Sequence, residues 1–170
     1  ARAQGRNRFY RLASPEVAHA IESLMALAGT RAAPASKSAA WRRDPDLRFC
    51  RTCYDHLAGQ VGIAVTDSLT RQGHLEPKGP RDWQLTPSGE LFCDKLGVDL
   101  GEARKASSRH FARQCLDWSE RRPHISGALG AAIADTFFKR GWAERLRRSR
   151  TVRLTDSGRR ALGSHFGATV

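Results

Sequence analysis

The chain has 170 residues, of which 40% are hydrophobic and 27% charged, and this composition is typical of a globular protein with one or two compact domains. No segment approaches the roughly 18 consecutive apolar residues of a membrane-spanning helix and no cleavable leader is apparent, so we expect a cytoplasmic protein without a membrane partner. The formal net charge of +12 favours a polyanionic partner, most often nucleic acid, although an arginine-rich genome would give the same excess.

The first 29 residues predict a strand followed by a helix. Gly5-Arg6-Asn7 is typical of a hairpin turn, because Gly and Asn tolerate a positive φ, and a short strand follows it to Leu12. Ser14-Pro15-Glu16 predicts a helix start. Apolar residues then recur on one helix face at Val17, Ala20, Ile21, Leu24 and Leu27. We expect this stripe to pack on a second chain or a preceding domain, and the chain to begin inside a domain.

A linker and a first complete unit follow. Segment 30–44 is rich in Ala, Ser and Pro and predicts the linker. Within the unit at 45–100, Asp44-Pro45 predicts a helix that continues through Cys50 to Leu57, and a second helix is expected at 60–72. Turn residues predict two strands, at 74–76 and 82–85, and Thr86-Pro87-Ser88 caps a helix that ends at Gly97.

The second unit, residues 101–170, repeats the first. The run from His56 to Glu76 returns as His124 to Glu144 at a constant spacing of 68 residues, with the glycines in register. Cys53 matches Cys115 at a spacing of 62, so the second copy carries six extra residues, best placed at 118–123. Each unit is predicted as helix, helix, hairpin and helix, which makes the fold α+β and mostly helical.

A helical pair, a two-stranded wing and a closing helix resemble the winged-helix architecture. The phrase Leu-Thr-x-Ser-Gly at 85–89 and 154–158 recurs in bacterial regulators of that class. The segment from Gly5 to Ala13 resembles the wing end of ArsR-type (arsenic-repressor-like) regulators. The C-terminal extension of their longer members is similar to Cys115-Leu116-Asp117-Trp118-Ser119-Glu120-Arg121-Arg122-Pro123-His124 and to Gly127-Ala128-Leu129-Gly130-Ala131-Ala132. The resemblance covers nearly all of the chain except the linker.

The resemblance implies a bacterial transcriptional repressor that binds double-stranded operator DNA as a homodimer. The recognition helix of that family precedes the wing, so we expect this chain to be a C-terminal fragment with two tandem winged-helix-like units after residues 1–29. It would provide dimerisation, through the helix after Pro15, and sensing of a small-molecule or metal effector. Arg6 and Arg8 would contact DNA phosphates or the minor groove, and so position the wing without reading bases.

The pattern Cys50-x2-Cys53-x2-His56 predicts a candidate site for zinc or another thiophilic metal or metalloid, with Cys93 as a further candidate ligand. Thiolates and imidazoles are the ligands that these ions prefer. On one helix, positions 50 and 56 would lie about 120° apart, so a single ion would use two of the three residues unless a ligand came from elsewhere. The alternative is that the cysteines are buried core residues, which the matching positions of Cys53 and Cys115 favour.

Arginines cluster at the second wing, where a basic hairpin could grip a DNA backbone. They are Arg145, Arg147, Arg148, Arg150 and Arg153. The alternative is a solvated turn whose charge aids solubility. The matching first wing offers only Lys78 and Arg81, so any DNA contact would be one-sided.

No catalytic residue is predicted. A cysteine nucleophile drawn from Cys53 or Cys115, with His56 or His124 as its base, lacks a third orienting residue and an oxyanion motif. We therefore expect a binding protein and no enzyme, with no cofactor beyond the metal considered above.

Overall fold

The structure is a computed structural model, and it describes residues 2–4, 7–9, 13, 17, 20, 21, 24, 44–105, 110–147 and 149–170. The chain divides into two compact units, residues 1–33 and 34–170. In the first unit, strands β1 (Arg2–Gln4) and β2 (Asn7–Phe9) form an antiparallel pair. Val17, Ala20, Ile21 and Leu24 are helical and exposed, whereas Leu27 and most of the predicted linker lie outside the described residues.

The second unit contains the two repeats and mixes helices with small antiparallel sheets, which confirms the predicted α+β class. The first repeat consists of α1 (Pro45–Phe49), β3 (Arg51–Cys53), β4 (His56–Ala58), α2 (Gly59–Arg71), β5 (Leu75–Lys78), β6 (Asp82–Leu85) and α3 (Pro87–Leu96). The second consists of α4 (Leu100–Lys105), β7 (Arg113–Leu116), β8 (Pro123–Ser126), α5 (Gly127–Lys139), β9 (Ala143–Arg145), β10 (Val152–Leu154) and α6 (Asp156–Phe166). None of the helices in the described part of the chain has the length and apolar character needed to cross a bilayer.

One predicted helix is wrong. The helix expected to continue through Cys50 to Leu57 ends at Phe49, and residues 51–58 form the hairpin β3–β4. Tyr54 turns this hairpin with a φ of 59°. The Cys50 N–H closes α1 by donating to the Asp46 carbonyl at 3.0 Å, and Cys50 itself has an extended backbone. Each repeat is therefore helix, hairpin, helix, wing hairpin and helix, where the first wing is β5–β6 and the second wing is β9–β10.

The first strand of each repeat pairs with the wing of the other repeat. Strand β7 of the second repeat pairs with β6 of the first wing, with Asp82 opposite Arg113. The Gln114 N–H donates to the Arg81 carbonyl at 2.7 Å. This pairing joins both repeats in one four-stranded sheet with the order β5-β6-β7-β8.

The equivalent pairing is made on the other side of the unit. Strand β3 of the first repeat lies against the second wing, with Arg51 opposite Thr151. The Thr52 N–H donates to the Arg150 carbonyl at 2.8 Å. Because the same repeat positions make both pairings, the unit has approximate two-fold symmetry, and each repeat completes the sheet of its neighbour.

The core lies between the repeats and is dominated by helices α2 and α5. Its most buried large side chains include Leu69, Leu129, Phe137, Leu162 and Phe166. Helix α2 packs on β8, and helix α5 packs on β4. The second unit is therefore held together by one shared hydrophobic core.

Glycine is required where the closing helices meet the preceding loops. Thr155 caps α6 by accepting a hydrogen bond from the Gly158 N–H at 3.1 Å, at the position equivalent to the predicted cap Thr86. A Cβ atom on Gly158 would overlap the carbonyl oxygen of Trp142. The absence of a side chain at this position lets the helix start approach the wing closely.

We expect Gly158→Ala to lower the free energy of unfolding by about 2–3 kcal/mol, because backbone must move to admit the methyl group. The matched control is Gly163→Ala in the same helix, where nothing lies within 4 Å of an added Cβ. That substitution should leave stability unchanged or raise it by up to about 1 kcal/mol. Urea unfolding followed by circular dichroism measures both, and equal stability of the two variants would contradict the packing argument.

Candidate metal centre

Two cysteines and two histidines meet at the junction between the repeats. We call Cys53, His56, Cys115 and His124 the Cys/His cluster. Their potential ligand atoms all lie within 4.8 Å of one another. His56, Cys115 and His124 are buried, with at most 6% of each residue exposed, and Cys53 is partly buried.

Each hairpin contributes one thiol and one imidazole from facing positions. Cys53 on β3 pairs with His56 on β4, and Cys115 on β7 pairs with His124 on β8. Directly opposed residues in an antiparallel pair hold their side chains close together on one face. The tight turn at Tyr54 therefore fixes the first half of the cluster, and β7–β8 fixes the second.

The two halves face each other across the approximate two-fold axis. The Cys53 and Cys115 Sγ atoms are 3.9 Å apart. The Nε2 atoms of His56 and His124 are 3.1 Å apart. Cysteine thus faces cysteine and histidine faces histidine, because a two-fold axis brings equivalent positions of a sequence repeat together.

A carboxylate lies beside the outer nitrogen of each imidazole. His56 Nδ1 lies 3.3 Å from Asp55 Oδ1, and His124 Nδ1 lies 3.6 Å from Asp117 Oδ2. Asp55 and Asp117 occupy equivalent repeat positions. A carboxylate that accepts a hydrogen bond from an imidazole orients the ring and fixes which nitrogen carries the proton. Asp55 lies within hydrogen-bonding distance of His56, whereas Asp117 lies beside His124 Nδ1 without a hydrogen bond.

Asp117 is a fully buried hydrogen-bond acceptor that ties the repeats together. Its Oδ1 accepts hydrogen bonds from Arg51 Nη2 at 2.7 Å and from Ser119 N and Oγ at 2.8 Å each. Its Oδ2 accepts from the Gly59 N–H at 2.7 Å. Burial raises the pKa of Asp117, but the hydrogen bonds from Arg51 and Gly59 outweigh burial and hold the pKa well below its usual range. Asp117 is therefore ionised beside His124.

Arg51 supplies the opposite charge. Its side chain is 1% exposed, and its Nη1 donates to the Leu47 carbonyl at 2.8 Å. The guanidinium carbon lies 4.2 Å from the centre of the Trp118 ring, in the range of a cation–π contact. Arg51 and Asp117 thus form a buried ion pair directly behind the cluster.

The cluster also sets the protonation of its own members. Hydrogen bonding to the Cys115 thiol, and then to the two histidines, lowers the pKa of Cys53 far below that of an ordinary thiol, with burial opposing. Burial lowers the pKa of His124 and favours its neutral form, while Cys53 and Asp117 oppose that shift. A thiolate beside a neutral imidazole is the protonation state in which both groups bind metal ions.

The other two predicted ligands do not join the cluster. Cys50 and Cys93 are both buried in the hydrophobic core. Burial raises the pKa of Cys50 to about 12 against the opposing charge of Arg51, and burial together with Glu90 raises the pKa of Cys93 to about 11. Burial therefore favours the neutral thiol at both positions.

Of the four predicted ligands, the structure brings together Cys53 and His56, and it adds Cys115 and His124. The sequence signal that identifies these two is the repeat itself, since they are the equivalents of Cys53 and His56. Equivalent residues of a repeat meet when the two copies pack about a two-fold axis. The matching positions therefore indicate a shared site as readily as a shared core.

None of the predicted DNA-contacting arginines that the structure describes in the second unit belongs to the Cys/His cluster. Arg145, Arg147 and Arg150 are exposed in or beside the second wing, and exposed Arg153 forms an ion pair with Glu144. Arg8 lies in β2, whereas Arg6 and Arg148 lie outside the described residues.

We expect Asp117→Asn to lower the free energy of unfolding by about 3 kcal/mol, because it leaves the Arg51 charge buried without its counterion. The matched control is Asp67→Asn, which breaks the exposed ion pair with Arg122 and should change stability by less than about 1 kcal/mol. Both are measured by urea unfolding with a chelator present. An Asp117→Asn variant as stable as the wild-type chain would show that the ion pair does not join the repeats.

Comparison with known proteins identifies the family. No protein-family model matches the chain, and no solved structure matches it. The chain is 41% identical over 166 residues to a Bacillus subtilis (strain 168) protein described as the uncharacterized HTH-type transcriptional regulator YdfF. The match covers 98% of this chain and 72% of that protein. At this identity and coverage, the chain belongs to the family of HTH-type transcriptional regulators.

Proposed function

We propose that this chain provides the dimerisation and effector sensing of a bacterial, cytoplasmic DNA-binding repressor of the ArsR type, and that it is not an enzyme. The buried Cys/His cluster at the junction of the repeats is the observation that carries this proposal. The family membership supports DNA as the macromolecular partner.

The first unit supports the homodimer. Val17 and Ile21 are 39% and 40% exposed, and Leu24 is 64% exposed. These residues recur on one helix face, and burying an aliphatic side chain of this size stabilises an interface by about 1.5–3 kcal/mol. A second copy of the same helix is the partner that we propose for this stripe.

The position of the cluster supports sensing. Its two thiols lie on β3 and β7, and each of these strands is hydrogen-bonded to the wing of the other repeat. A ligand that draws Cys53 and Cys115 together would therefore act on both wings at once. An effector regulates DNA binding when it favours one of two such arrangements over the other.

Burial of the cluster disfavours catalysis. A cysteine nucleophile and its base must reach a substrate, whereas Cys115 is 6% exposed and both histidines are fully buried, and Cys53 is the one member of the cluster that is partly exposed. The same burial suits a small effector that becomes enclosed by the protein.

The test is a set of substitutions at the chromosomal locus of the protein. Deletion of the gene identifies the target transcripts, and cultures are then exposed to zinc, to cadmium or to a thiol oxidant. We expect the wild-type response to at least one of these signals to be lost with Cys53→Ala and with Cys115→Ala, because each removes one half of the cluster. Transcript abundance measures the response.

The matched control is Cys93→Ala, which removes a buried thiol of the core outside the cluster. This strain should respond as the wild type does, and immunoblotting shows whether all variants accumulate to the same level. Unchanged responses in the Cys53→Ala and Cys115→Ala strains would contradict the sensing role.

A second candidate function is direct contact of the second wing with the DNA backbone. Exposed Arg147 and Arg150 favour it, since both flank the hairpin tip. The Arg145 guanidinium lies 4.1 Å from the centre of the Phe138 ring, and Arg153 pairs with Glu144. Arg147 and Arg150 are therefore the residues that we assign to phosphate contacts.

We expect the double substitution Arg147→Gln/Arg150→Gln to weaken binding of the chain to duplex DNA. It should also flatten the salt dependence by about 0.9 log units per log unit of salt for each phosphate that is no longer neutralised. The matched control is Lys78→Gln/Arg81→Gln on the equivalent first wing. Fluorescence anisotropy over a salt series measures both. If the two double variants show the same slope of log affinity against log salt concentration, the second wing is not part of the DNA interface.

A further inference from the structure

We infer that Cys53, His56, Cys115 and His124 together bind one divalent metal ion of the zinc class, with one thiolate and one imidazole from each repeat. The inference rests on the proposed function, because it names the chemistry to which the sensing site responds. It assigns the ion to the junction of the repeats, and to neither Cys50 nor Cys93.

The distances within the cluster match a tetrahedral site. Zinc binds sulfur at about 2.3 Å and histidine nitrogen at about 2.0–2.1 Å, so tetrahedral angles place two sulfurs about 3.8 Å apart and two nitrogens about 3.3 Å apart. The observed separations are 3.9 Å between the Sγ atoms and 3.1 Å between the Nε2 atoms. All four ligand atoms lie within 4.8 Å of one another, so one ion placed between them is within reach of all four side chains.

The surroundings of the histidines favour an ion over a simple hydrogen bond. In a hydrogen bond between two neutral imidazoles, one Nε2 must carry a proton, which leaves its Nδ1 as an acceptor facing a carboxylate. An ion between the Nε2 atoms removes this conflict, because both Nδ1 atoms can then carry protons. Asp55 beside His56 and Asp117 beside His124 fit that arrangement on both sides.

The charge of the donor set selects the class of ion. Two thiolates neutralise a divalent cation, so the loaded site of two thiolates, two neutral imidazoles and one ion carries no net charge. Soft sulfur ligands favour zinc, cadmium and related ions over magnesium and calcium, which prefer oxygen. Four ligands from the chain also complete a tetrahedral shell, as in sites where zinc holds parts of a protein together.

Two helices pack against the histidines of the site, and each has a glycine nearby. A Cβ atom on Gly130 of α5 would lie 3.3 Å from the His56 Cβ, and one on Gly62 of α2 would lie 3.9 Å from the His124 Cβ. Both added atoms would also lie within 3 Å of backbone oxygens. The glycine of α5 therefore leaves room for His56, whereas a separation of 3.9 Å is an ordinary contact and the glycine of α2 is required by the backbone alone.

The consequence is an ion that links the two repeats. Removing it would leave the junction held by the core, the strand pairings and the Arg51–Asp117 ion pair. Binding of the ion would fix the distance between β3 and β7, and each of these strands is paired with the wing of the other repeat.

The inference is tested by titrating the reduced, chelator-treated 170-residue chain with cobalt(II), and then displacing the cobalt with zinc. We expect one cobalt per chain, the strong visible absorption of tetrahedral cobalt and a thiolate-to-cobalt charge-transfer band, all removed by one equivalent of zinc. Zinc should also raise the melting temperature, because it binds the four assembled ligands of the folded chain more tightly than the separate thiols and imidazoles of the unfolded chain.

Variants separate the cluster from the other thiols. Cys53→Ala and Cys115→Ala should each weaken or abolish the charge-transfer band, and each should lower zinc affinity at least tenfold. The Cys93→Ala variant should bind cobalt and zinc as the wild-type chain does. His56→Cys keeps four ligands and should retain one cobalt with a stronger charge-transfer band. Circular dichroism establishes that each variant is folded.

The inference is overturned if the folded, reduced chain binds no cobalt or zinc, or if binding persists unchanged without Cys53 and Cys115. If the chain binds no metal but regulation is lost in the Cys53→Ala strain, the metal inference is overturned and the proposed sensing function is retained. A Cys53–Cys115 disulfide would then be sought by mass spectrometry. Stoichiometric binding together with unaltered regulation would support the metal site and overturn the sensing function.

Discussion

The whole second unit depends on one constraint, which is that neither repeat can complete its sheet alone. Strands β3 and β7 are three and four residues long, and each finds a partner in the wing of the other repeat. Strands this short are not stable as isolated hairpins in water. The two repeats therefore fold as one body, and the Cys/His cluster forms where the short strands of the two copies meet.

The buried charges follow from the same packing. Asp117 and Arg51 belong to different repeats and are both almost fully buried. Burying two charges is unfavourable unless they are paired and their remaining hydrogen bonds are satisfied, and Asp117 meets that requirement with bonds from Arg51, Ser119 and Gly59. Removal of one partner is costly because it leaves the other charge buried and unpaired, although the intact pair adds little net stability compared with apolar side chains of the same volume. The pair holds the turn after β7 and the start of α2 in one relative position, which is the position that brings His124 to face His56.

The parts of the fold that could be predicted from the sequence are those with local causes. Thr86 with Pro87, and the equivalent Thr155, mark helix starts through hydrogen bonds within three residues. The wings and the long helices α2 and α5 follow from turn residues and apolar periodicity. The hairpin at 51–58 could not be predicted in this way, because Cys50, Tyr54 and Leu57 have helical spacing.

The complete candidate site could not be predicted from the sequence for a related reason. The spacing of three residues between Cys53 and His56 suits a helix face as well as a hairpin. Their partners Cys115 and His124 are distant in sequence and meet them through tertiary packing alone.

Because both halves of the cluster belong to one polypeptide, their effective concentration is set by the fold and is independent of the amount of protein in the cell. A site shared between two separate subunits is lost when those subunits dissociate, whereas this one persists in a single chain. Covalent fusion also frees the two halves to diverge. The longer turn of the second repeat places Trp118 over Arg51 on one side of the axis. In a junction between two identical chains, both chains would have the longer turn, so this contact would occur on both sides of the axis.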